Sequence, residues 1–159
     1  MAGNIIMEQN IGKIGEDAAA AFLESRGYKT VVRNYREKFG EIDIVSLSPG
    51  GDTTIFFEIK TMRQYSGNQL GNESVAMLLP EDQMSPDKMR KFRKVCEFFM
   101  LNNAGMFHVK HLWQMDVLAI EVLGPGMFLQ ENLGTNNGTK IYLFKHDNFS
   151  FVIRHYENV

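Results

Sequence analysis

The chain has 159 residues and a formal net charge of −2; the length suits one domain over 1–159, and the charge excludes a globally basic nucleic-acid binder, so any DNA contact must come from a local cationic patch. A single cysteine, Cys96, excludes an internal disulfide framework and fits a reducing cytosol. The first residues lack a cationic start followed by an apolar core, and no run of about 18 apolar residues occurs; the expectation is a cytoplasmic protein without a membrane partner.

In chain order, 10–26 reads as a helix. Ile14, Ala18, Ala21 and Phe22 form its apolar stripe, and Gly27-Tyr28 supplies the stop. Glu16 lies beside that stripe, where it is either an exposed helix charge or a group able to reach the sheet. Residues 28–35 read as a first strand. "GEIDIVSLSPGGDTTIFFEIK" then reads as a hairpin turning at Pro49-Gly50-Gly51-Asp52. With Gly50-Gly51 at its centre, Asp43 lies opposite Glu58 and Glu41 opposite Lys60. The alternation of a strand puts these four on one face, joined further along by Val45 and Phe56, and puts Ile42, Ile44, Ile55, Phe57 and Ile59 on the other.

Opposed carboxylates destabilise a strand pair. At about 5 Å and an effective dielectric near 20 the repulsion is roughly 3 kcal/mol. A raised carboxyl pKa, strands that diverge at this point, a bound divalent cation, or simple solvation at a sheet edge would each relieve it.

Two stretches, 62–84 and 124–138, are rich in Gly, Asn, Pro or Gln and read as long irregular loops. Between them, 85–103 reads as a second helix, with Ser85 as N-cap, Pro86 at its first position and Met89, Phe92, Cys96, Phe99 and Met100 along one side. Its outer side carries Lys88, Arg90, Lys91, Arg93 and Lys94, while Arg33, Arg36 and Lys38 precede the hairpin. These cations are either a solvated surface or the local patch that would bind a phosphate backbone. His108 and His111 fall in a strand-like context that separates them and read as structural. Residues 113–122 read as a buried strand, and "TKIYLFKHDNFSFVIRHY" supplies one or two more. The order of elements predicts an α/β fold, an α/β/α sandwich around a central mixed sheet.

The ordered set "GKIGEDAAAAFLESRGY", "VVRNYR", "GEIDIV", "FFEIK", "SPDKMRK", "MDVLAI" and "RHYEN" resembles the YraN-like family of the restriction-endonuclease-like superfamily, over 12–158. The resemblance implies a fold related to archaeal Holliday-junction resolvases. It places the D…(D/E)-x-K signature on Asp43, Glu58 and Lys60 and the helical glutamate of the resolvase branch on Glu16. It implies Mg²⁺, with Mn²⁺ able to substitute, held by Asp43, Glu58, Glu16 and the main-chain carbonyl of Ile59, with Lys60 orienting water or stabilising phosphate charge. The implied partner is DNA, branched DNA in particular, contacted by Arg33, Arg36, Lys88 and Lys91. A homodimer is implied because such relatives cut two strands symmetrically. The chain departs from the family pattern at Met62, where an arginine is common, at Gln114-Met115 before Asp116, and in the length of 62–84. A binding protein without turnover on the same fold, and an adaptor that uses the Met-rich 62–84 as a partner surface, are the competing readings.

Overall fold

The computed structural model describes residues 11–63, 84–107, 111–123 and 138–159. The loops expected at 62–84 and 124–138, together with His108, fall largely outside those residues, although Met62 and Arg63 belong to a strand.

Helix α1 (Ile11–Ser25) stops where Gly27 takes φ 85. The Gly27 N–H donates to Glu24 and the Tyr28 N–H to Leu23, so the last carbonyls are satisfied in a Schellman arrangement. Strands β1 (Lys29–Glu37), β2 (Gly40–Leu47) and β3 (Thr53–Arg63) follow as an antiparallel meander. Helix α2 (Pro86–Asn102) starts at Ser85, whose hydroxyl accepts the Lys88 N–H at 3.3 Å. It crosses over to β4 (Leu112–Leu123), which runs parallel to β3. Strands β5 (Lys140–His146) and β6 (Phe149–Tyr156) form a hairpin through Asp147-Asn148, with Asp147 in the left-handed region at φ 52. The six strands form one mixed sheet in the order β1-β2-β3-β4-β6-β5.

Each face of the sheet is closed by one helix. On one side Ala18, Ala19, Phe22 and Leu23 of α1 pack on Ile44, Phe57, Leu118 and Ile153. On the other, Phe92, Val95, Cys96 and Phe99 of α2 pack on Val45, Phe56 and Met115. This is the α/β/α arrangement the element order predicts, and both layers form because every central strand is apolar on both sides.

The β2–β3 register is the expected one, with Ile44 opposite Phe57 and Val45 opposite Phe56, closed by the Ser48 N–H donating to Thr53. One side chain departs from the expected alternation. Ile42 packs in the α2 layer although Ile44 packs in the α1 layer. The break coincides with Asn34, which has φ 54 and lies between the register pairs Arg33–Ile44 and Tyr35–Ile42, across from Asp43. A left-handed residue in the neighbouring strand interrupts the pleat, and the side chains beyond it change sides.

Candidate functional site

The paired ladder of β2 and β3 ends at Ile44 and Phe57. Continuing it would set Ile42 opposite Ile59; instead Asp43 Oδ2 accepts the Ile59 N–H at 2.6 Å. The Asp43 carboxyl thus replaces a main-chain carbonyl, and the two strands part. Since the N–H and C=O of one strand residue leave on the same side, the Ile59 carbonyl is directed toward the same gap.

Glu58 and Lys60 sit beside this gap on the α2 face of β3. Lys60 Nζ lies 2.5 Å from Glu58 Oε1, with side chains 22% and 18% exposed. Lys60 therefore pairs with Glu58, not with Glu41 as the extended register suggested. Glu41 instead pairs across β1–β2 with Arg36 at 3.4 Å, both well exposed.

Glu16 arrives from the other layer. Its neighbour Gly15 is buried against β3 so closely that an added Cβ would lie 1.9 Å from Thr61 Oγ1. Glycine at that point is what lets α1 approach the strand that carries Glu58 and Lys60. The half-buried Glu16 is then close enough for its charge to act on Asp43.

Burial pushes the Asp43 carboxyl up to about 7, with the neighbouring Glu58 charge next in weight and Glu16 and Glu41 adding to it; the Ile59 N–H opposes the shift without cancelling it. Of the ways to relieve opposed carboxylates, the protein uses two together, a raised pKa and diverging strands. Four carboxyl groups, with Lys60 paired to Glu58 and Arg36 to Glu41, form a hard, oxygen-rich, net negative donor set, which fits Mg²⁺ or Mn²⁺.

The carboxylates of Asp43, Glu58 and Glu16 are not tightly gathered, however. Among the described residues, the group whose potential ligand atoms all lie within 4.8 Å is Asp116, His155 and Glu157. Sequence reasoning names none of these three as site residues; the available signal for Asp116 and His155 was an ionisable residue within the apolar runs "MDVLAI" and "FVIRHY", and Glu157 lies outside both. Their donors are already engaged. Asp116 Oδ2 lies 2.7 Å from His155 Nε2, and Asp116 Oδ1 accepts from Gln114 Nε2 at 2.9 Å and the Asn158 N–H at 3.0 Å. Lys140 Nζ holds Glu157 at 2.8 Å. Asp116 and His155 are buried and Glu157 is exposed, and these bonds tie 154–159 to β4.

The predicted phosphate contacts divide in two. Arg33 is bound 2.7 Å from Asp17 on α1, whose carboxyl the guanidinium holds below the usual range with help from Lys13. Arg36 is held by Glu41. Lys88 and Lys91 stand exposed on α2, and the Lys91 carbonyl lies 3.6 Å from where a Cβ on Gly40 would be, so this cationic turn borders the start of β2. His111 bonds Thr54 Oγ1 at 2.7 Å, the structural role expected of it.

With this geometry in view, comparison with known proteins is informative. Residues 15–120 match the model of a family described as "Uncharacterised protein family UPF0102". The chain belongs to the UPF0102 family. UPF0102 is the YraN family that the order of motifs resembles. A UPF0102 protein of Syntrophus aciditrophicus is 40% identical over 96 residues, 59% of this chain and 66% of that relative, so the match spans just under two thirds of its length. One of Dictyoglomus turgidum is 34% identical over 117 residues, 74% of this chain and 86% of the relative. One of Caldicellulosiruptor bescii is 31% identical over 137 residues, 86% and 95% of the two chains. The UPF0102 match includes Glu16, Asp43, Glu58, Lys60 and Asp116 and ends before Arg154 and His155.

Proposed function

We propose that this UPF0102 chain is a divalent-metal-dependent DNA endonuclease that acts on branched DNA. The observation that carries the reading is the departure of Asp43 from the β2–β3 ladder onto the Ile59 N–H, which sets a half-buried carboxyl beside Glu58 and Lys60 and within electrostatic reach of Glu16. A fold has little reason to crowd like charges at a strand divergence unless a cation or a reacting group uses them.

Asp43, Glu58, Glu16 and the Ile59 carbonyl would hold Mg²⁺ or Mn²⁺, which when bound polarises a phosphodiester and lowers the pKa of an attacking water. The chain's own groups do the rest. Asp43 must give up its proton to serve as a ligand, and the Ile59 N–H fixes the direction of its carboxyl. Lys60, already beside Glu58, can donate to a phosphate oxygen as negative charge grows there or orient the water. Lys88 and Lys91 supply the cationic border that a backbone would follow. A homodimer would present two such sites to the two strands of a junction.

Binding without turnover is the second reading. It is favoured by one observation: among the described residues the Asp43, Glu58 and Glu16 ligand atoms do not gather within 4.8 Å.

The test is cleavage of labelled linear, flapped and four-way-junction DNA in Mg²⁺, Mn²⁺ or EDTA. The expected result is metal-dependent cutting, strongest on the junction and lost in Asp43→Ala and Glu58→Ala with the fold intact. Full activity in either variant would sink the endonuclease, and junction binding with no cutting would leave the second reading.

A further inference from the structure

One ion pair on the same face of the sheet plays no part in that mechanism. Arg154 of β6 places Nη1 and Nη2 each 3.2 Å from Glu121 Oε2 of β4, with side chains only 17% and 10% exposed. The register fixes where it stands. Lys60, Ala119 and Arg154 form one lateral row across β3, β4 and β6, and Met62, Glu121 and Val152 form a row further toward the end of β3.

Residues paired across strands share a face, so Arg154 is on the side of Glu58 and Lys60, with Ala119 of β4 between the two in the row. A strand spacing of about 4.8 Å puts the Lys60 and Arg154 backbones roughly 10 Å apart. The guanidinium reaches toward Glu121, and hence toward the end of the parallel strands β3 and β4, where open α/β sheets receive ligands.

Stability gives this pair little reason to exist. Its neighbours Ala119 and Val152 are apolar and buried, and replacing a buried ion pair by apolar residues of similar size is often neutral or stabilising. Among the described residues, the bonds of the guanidinium both go to a single oxygen of Glu121. A planar fork with five donors, oriented by a carboxylate, suits a phosphate better than an ammonium does.

We propose that Arg154, held in position by Glu121, binds a backbone phosphate next to the one at Lys60. The inference rests on the reading that this sheet face receives a nucleic-acid backbone.

The test measures the Kd of a fluorescent four-way-junction DNA across a KCl series, with urea unfolding of each protein in parallel. The variants are Arg154→Gln and the double substitution Glu121→Met with Arg154→Met, which leaves net charge unchanged and serves if the single variant does not fold. Loss of one phosphate contact is expected to weaken binding about tenfold and to lower the slope of log K against log[salt] by about one. Wild-type affinity and slope in a folded variant would overturn the role of Arg154 and leave the pair structural. No junction binding by the unsubstituted protein would overturn the nucleic-acid reading itself, and this inference with it.

Discussion

The Asp43 carboxyl takes the N–H that a continued ladder would have given to Ile42, while burial and three neighbouring carboxylates lift its pKa to about 7. That shift sets a sign for stability. Below the ordinary value of 3.8 the group is protonated in both the folded and unfolded chain, and its contribution is fully present. As the pH rises, the unfolded chain releases the proton first, so stability falls through the window up to about 7 and stays lowered above it. The full loss is up to about 4 kcal/mol, taking 1.36 kcal/mol per unit. In EDTA, Asp43→Asn is therefore expected to unfold at higher urea than the parent at pH 8 and at nearly the same urea near pH 4. A less stable Asp43→Asn at pH 8 would contradict the crowding. Mg²⁺ should reverse the order at pH 8 by stabilising only the parent. The sequence made the opposed acids legible, because turn chemistry at 49–52 sets the register. It did not reveal which relief the chain uses, because that depends on burial beneath two helices.

Among the elements, α1 and β3 meet at Gly15 and Thr61, and this contact sets the approach of Glu16 to the site. A methyl at Gly15 would lie 1.9 Å from Thr61 Oγ1 and 2.8 Å from its Cβ. Gly15→Ala is expected to cost about 1–3 kcal/mol by overpacking and to depress cleavage by more than its loss of folded protein explains. Thr61→Ala in the same chain should restore part of both. Equal activity per folded molecule would show that the position of α1 is immaterial to the chemistry. Periodicity revealed both helices and their caps, since Ser85-Pro86 and Gly27-Tyr28 act within a single turn. It misplaced Ile42, because the left-handed Asn34 that interrupts the pleat belongs to a different strand. It also assigned Lys60 to Glu41, whereas the divergence of the strands leaves Lys60 beside Glu58.

Among the described residues, the sheet holds, besides the Arg154–Glu121 pair, two polar centres of different character. One is the net negative gap at Asp43. The other is the satisfied network around Asp116, which reaches His155, Gln114 and the Asn158 N–H. Removing one member of a fully buried pair strands the other, so Asp116→Ala is expected to lower unfolding stability by about 3–5 kcal/mol, read from urea denaturation. A change under about 1 kcal/mol would show that the network does not anchor 154–159. Asp116 and His155 of this second centre are 39 places apart, and no local pattern pairs them. By itself the sequence determined the element order, the β2–β3 register and the family, because apolar period, turn residues and helix caps act over a few neighbours. Only the tertiary structure decided that β2 leaves its ladder at Asp43, that Asp116 is held by Gln114, His155 and the Asn158 N–H, and that Arg154 shares a row with Lys60. Desolvation and lateral strand order are set by contacts between residues distant in the chain, and those exist only once the sheet has formed between its two helices.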